Sequence, residues 1–184
     1  MDAALLQGPP SIESPQCLSR STCLLAMRSA MPPRTAADAA QVAQLLRPVD
    51  LAEMEALEGR PALQILASMV DAPDSAPARV LTICKVPVML HGIVACEGLP
   101  GNAMPWLASI ESLAQDDLMN VMWMSRLQVD VWQHRWPRLQ VVCGVHNIFR
   151  RQWLEWLGFA ARGHLEAFGA ARRPFDLYER GAAR

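Results

Sequence analysis

Residues Val141 to Phe159, VVCGVHNIFRRQWLEWLGF, constrain the fold of this chain more tightly than any other stretch. Val141, Val142, Cys143 and Val145 are strand formers. Asn147 stands where a side-chain oxygen can accept a bond from an otherwise unpaired N–H of a following helix. Phe149, Trp153, Trp156 and Leu157 recur at helical spacing on one face, while Arg150, Arg151, Gln152 and Glu155 fall mostly on the other. Gly158 occupies the position that favours a left-handed backbone, and Phe159 follows it, placed to touch Leu154 across a Schellman-type end. A strand, a capped helix and a Gly-Phe stop are expected here.

With 184 residues, 52% of them apolar, the chain can bury roughly two-thirds of its unfolded surface, enough for one compact domain. Residues 1–33 carry Pro9, Pro10, Pro15, Pro32 and Pro33 among Ser and Gly without a period, and read as a flexible arm. Met27 and Met31 are alternative starts, because patterned sequence begins just after them. The expected domain is 34–184. A net charge of −1 argues against a general nucleic-acid binder. Five scattered cysteines without paired spacing argue against a disulfide framework and for a reducing compartment. No apolar run approaches the ~20 residues that span a bilayer. Lys85 is the sole lysine; the arginine excess suits a protein–protein surface, and an Arg-biased coding composition explains it equally well.

Along the chain, Ala39, Val42, Ala43 and Leu46 share a helical face after Asp38, a candidate cap, and Pro48 stops that helix. Asp50 opens a second helix ended by Gly59, and Pro61 suits the first turn of a third. Val80–Cys84 and Val88–Cys96 read as an antiparallel strand pair, with Ala103–Ile110 a third strand. Ser112 and Gln115 form a capping-box pattern for the longest helix, whose stripe of Leu118, Met122, Val129, Trp132 and Trp136 runs to Pro137. Leu139–Val145 is a strand, and after the helix at 147–157 a last strand is expected at Phe175–Glu179. Helices on a mostly antiparallel sheet make an α/β or α+β sandwich.

Three segments carry a resemblance to a known family. They are Arg34-Thr-Ala-Ala-Asp38 with its helix and Asp50-x-x-Glu53, then Val88-Met-Leu-His-Gly92-Ile-Val with Pro105-Trp106-Leu107, and Val145-His-Asn147 through Phe159. With this element order, residues 34 to 179 resemble the GNAT-like acetyltransferase superfamily. They look most like its branch of small proteins encoded by tailed phages, related to an internal virion protein of short-tailed phages. The resemblance implies a GNAT-like mixed, mostly antiparallel central sheet flanked by helices. It also implies a place in the virion or the host cytoplasm, with other phage virion proteins or a host protein as partners and self-association open. Enzymes of the superfamily seat acetyl-coenzyme A on a Gly-rich turn, Q/R-x-x-G-x-G/A, before the long helix, where backbone N–H groups approach a diphosphate. The matching interval here, Ser109 to Asp117, has no glycine and holds Glu111, Asp116 and Asp117. Like charges repel there. No cofactor is therefore expected, and the implied role is non-catalytic, in assembly of the virion interior or its ejection machinery. The alternative is an acetyl-CoA-dependent N-acetyltransferase modifying a host protein or small amine.

No catalytic or metal-binding residues are expected. Asn147 reads as a helix cap, or through the resemblance as a partner of a pantetheine arm. Cys143, His146, His91 and Cys96 have ligand chemistry without four-fold convergence in sequence. Glu53, Glu55 and Glu97 could act as a base but have no visible partner. Trp123 and Met124 lie off the main stripe of the long helix; with Arg150 and Arg151 they are the candidate interaction surface, a second apolar face competing with an over-wide core face.

Overall fold

A computed structural model describes residues 36–71, 76–83, 86–111 and 113–181; the expected arm at 1–33 lies outside them. Helices α1 (Ala36–Leu45), α2 (Pro48–Glu58) and α3 (Ala62–Asp71) come first, then β1 (Ala76–Ile83), β2 (Val86–Ala95) and β3 (Asn102–Ser109). The long α4 (Gln115–Arg135) leads into β4 (Arg138–Gly144), α5 (Ile148–Trp156), β5 (Ala160–Phe168) and β6 (Arg173–Gly181). The strands form one sheet in the order β1-β2-β3-β4-β6-β5, antiparallel throughout except where β3 meets β4. That parallel contact, Asn102 with Arg138 and Ala103 with Leu139, is only two residues long.

Because side chains alternate across a strand, β1 and β2 feed two cores. Leu81 and Met89 pack with Val121, Met124 and Val129 of α4 and with Trp153 and Leu154 of α5. Val80 and Leu90 pack with Ala39 and Val42 of α1 and with Ala62 and Leu66 of α3. The result is a three-layer sandwich. Gly92 and Trp106 are register partners, and a Cβ on Gly92 would stand 2.8 Å from the indole, so the bare backbone makes room for the ring.

The end of α5 matches its sequence reading. Gly158 has φ +87°, Phe159 N–H donates to Leu154 O at 3.0 Å, and Gly158 N–H donates to Glu155 O at 2.9 Å. Other boundaries move. Pro48 both ends α1 and starts α2, which begins at Pro48, not Asp50, because proline fits the first helical turn. Asp38 stands in the first turn of α1, not before it. The position before α4 is Ala114, without a side-chain cap, and Ser112 of the expected capping box lies outside the described residues. The last strand runs the full Arg173–Gly181, and β5 is an addition to the sequence reading. Almost all of β5 is exposed, so its sequence lacks the apolar alternation that marks a strand.

Candidate functional site

The densest polar structure joins α2 to the start of α5. Asp50 and Glu53, one helical turn apart, are 7% and 6% exposed, and Asn147 beside them is 2% exposed. Asn147 Nδ2 donates to Asp50 Oδ1 and to Glu53 Oε2, both at 2.8 Å. Its Oδ1 accepts from Arg150 N–H at 3.2 Å, so one amide caps α5 and ties it to α2. Arg150 Nη1 donates to the other Glu53 oxygen at 2.9 Å, and Arg47 Nε donates to Asp50 at 2.5 Å. Two carboxylates thus meet two guanidiniums with an amide between them, and each buried charge has the partner that burial demands. Gly144 leaves room for Glu53, since a Cβ there would stand 3.1 Å from Oε2.

Against this cluster lies a cavity of about 300 Å³ lined by Val49, Glu53, Gly144, Asn147, Arg173 and Phe175. A second, about 40 Å³, lies between the sheet and α4, with His91, Trp106, Trp132 and Trp153 in its wall. His91 is 3% exposed, its ring 5.9 Å from that of Trp132. Burial, reinforced by the positive charge of Arg79, lowers its pKa to about 4, so it is a neutral imidazole near pH 7. Burial pushes the Cys143 thiol up to about 12, with Glu53 adding to the rise, which leaves it protonated and a poor nucleophile. Among the described residues no three His, Cys, Asp or Glu converge on a metal-sized site.

The resemblance places a coenzyme diphosphate at the segment between β3 and α4, where the N–H groups nearest β3 are not free for it. Ile110 N–H donates to Val88 O at 3.0 Å and Glu111 N–H to Leu45 O at 2.8 Å, so these donors are spent inside the fold. The segment has no glycine to let a diphosphate approach the backbone, and Glu111 is exposed at its surface.

The residues singled out in sequence scatter. Trp123 is 54% exposed, whereas Met124, expected beside it on a surface, is buried in the core under α4, because the core face of that helix is wide. Arg150 points inward to Glu53, a correction to its placement on an exposed surface. Arg151 stays partly exposed while its Nε donates to Tyr178 Oη and its Nη1 to the Val145 carbonyl. Glu55 accepts from Ala62 N–H at the start of α3, and Glu97 lies exposed in the turn after β2. Sequence reasoning missed the Asp50–Glu53–Asn147 contact. Its one local signal was the pair of acids a turn apart on the buried face of α2.

No family model and no curated protein sequence matches the chain. Solved structures do. The chain is similar to RimJ of Mycobacterium smegmatis in complex with CoA-disulfide, at 17% identity and TM-score 0.60, over 82% of this chain and 80% of that one. It is similar to a GNAT-family acetyltransferase of Bacillus anthracis, at 10% identity and TM-score 0.60, over 82% and 92%. It is also similar to the microcin self-immunity acetyltransferase MccE in complex with acetyl-CoA and AMP, at 10% identity and TM-score 0.61, over 81% and 89%. The fold is that of the GNAT acetyltransferases. Among the described residues no helix is long and apolar enough to cross a membrane.

Proposed function

We propose that this chain is a non-catalytic protein on a GNAT scaffold that works through protein contacts in assembly of a phage virion interior or its ejection machinery. One observation carries the non-catalytic part: the segment before α4 has no glycine, commits the N–H groups of Ile110 and Glu111 to Val88 and Leu45, and presents acid where a diphosphate would need donors. The cluster around Asn147 supports it, because both amide hydrogens are committed to Asp50 and Glu53 and neither is left for a pantetheine arm. The virion role rests on the three-segment resemblance, and its partners are other phage virion proteins or a host protein. Mass spectrometry of purified particles tests it. The chain is expected in the particle fraction; its absence there, with normal particles after deletion of its gene, would overturn the role.

A second reading, an acetyl-CoA-dependent N-acetyltransferase acting on a host protein or small amine, is favoured by the coenzymes in the RimJ and MccE complexes. It requires transfer of labelled acetyl from acetyl-CoA to an amine in a host extract. No transfer is expected.

A further inference from the structure

The open cavity of about 300 Å³ beside the Asp50–Glu53–Asn147 cluster is at the small end of ligand pockets. Val49 and Ala56 of α2 and Phe175 of β6 give it an apolar wall, and two charged side chains also line it, Glu53 and Arg173. Glu53 is 6% exposed and receives one bond from Asn147 and one from Arg150, so its charge is balanced. A carboxylate has about four acceptor positions, and two of these stay unused among the described residues. No hydrogen bond or ion pair holds the Arg173 side chain among the described residues. The fold sets the spacing of these two groups. Glu53 Oε2 lies over Gly144, whose register partner on β6 is Phe175, and Arg173 stands two residues before Phe175 on the same face of that strand. Neighbouring strands about 5 Å apart and a step of about 7 Å along β6 put Glu53 and Arg173 about 8 Å apart at the level of the sheet. The start of β6 is also pinned to α2, because Ala170 N–H donates to Leu57 O at 3.0 Å and Ala171 N–H to Ala56 O at 2.9 Å. Next to them Arg172 holds φ +50°, a left-handed backbone that non-glycine residues adopt only where the surroundings impose it. Both walls are therefore set before any ligand arrives.

We propose that this cavity binds a small carboxylic acid that carries an apolar side chain and a hydrogen-bond donor on its α-carbon, as an α-amino or α-hydroxy acid does. The carboxylate pairs with Arg173, the donor bonds an open lone pair of Glu53, and the side chain lies against Val49, Ala56 and Phe175. A carboxylate, a donor on the next carbon and a hydrogen bond of about 2.9 Å at each end together span roughly 8 Å, which matches the separation of the two residues. The Arg173 charge selects an acid, because a guanidinium without a partner gains most from a carboxylate. Because Arg150 already balances Glu53, the donor on the ligand need not be charged.

Calorimetric titration of the full-length chain with leucine, α-hydroxyisocaproate and isocaproate tests this. All three share the carboxylate and the branched apolar chain; the first carries an ammonium, the second a hydroxyl and the third no donor. At least one of the first two is expected to bind with Kd below about 1 mM, and isocaproate to bind about tenfold more weakly or worse. Arg173→Ala, at an exposed position, is expected to weaken the binding about tenfold or more. Ala52→Leu, also at an exposed position, fills the cavity from α2 and is expected to abolish binding. Circular dichroism checks that both variants fold. No binding of either donor-bearing acid at about 10 mM would overturn the proposal. So would isocaproate binding as tightly as they do, or binding left unchanged by Arg173→Ala or by Ala52→Leu in the folded variant.

Discussion

Asn147 spends its whole donor capacity on two carboxylates that would otherwise face each other across a buried gap. Replacing it with alanine removes the cap of α5 and leaves Asp50 and Glu53 short of a donor. Asn147→Ala is therefore expected to lower unfolding stability in urea by about 3 kcal/mol, and Asn147→Asp by more, since it adds a third carboxylate. A loss under about 1 kcal/mol would mean water replaces the amide easily. His91 makes a pH prediction. Its pKa, lowered to about 4, means the unfolded chain takes up its proton first as pH falls below about 6.5. Stability from this residue is thus complete above pH ~6.5 and is lost progressively toward pH ~4, up to about 3 kcal/mol. His91→Leu is expected to flatten that part of the stability-pH curve; an unchanged slope would contradict it. The capping role of Asn147 was legible from its type and position. Its bonds to Asp50 and Glu53 were not, because those partners lie 97 and 94 positions away and no local period links them.

Elements whose residues alternate or recur announced themselves. The β1–β2–β3 meander follows its β-branched and apolar runs, and the α5 stop follows Gly158. The edge strand β5 did not, because it pairs on one side only and buries little, so nothing constrains its side chains to alternate. Two glycines separate the reasons such residues are needed. Gly158→Ala meets only ordinary contact with Arg180 but must hold φ +87°, a strain of about 1 kcal/mol. Gly92→Ala instead drives a methyl into the Trp106 ring, at about 2 kcal/mol of overpacking. In a double-mutant cycle, Trp106→Leu is expected to relieve most of the Gly92→Ala loss and none of the Gly158→Ala loss. Additivity at both glycines would show that the indole is not what Gly92 accommodates.

At the scale of the molecule, the sheet order and the two helical layers reproduce the GNAT frame, and the order of elements in the sequence already resembled it. What sequence could not give is how the frame is used. Whether the N–H groups of Ile110 and Glu111 are spent depends on Val88 and Leu45, residues from a strand and a helix end far along the chain. The proposed loss of coenzyme binding makes a direct prediction for the intact protein. Thermal melting of the full-length chain with and without millimolar acetyl-CoA is expected to give the same midpoint. A ligand at a hundred times its dissociation constant adds about 2.7 kcal/mol, so a midpoint raised by several degrees would contradict the claim that this GNAT scaffold no longer holds the coenzyme.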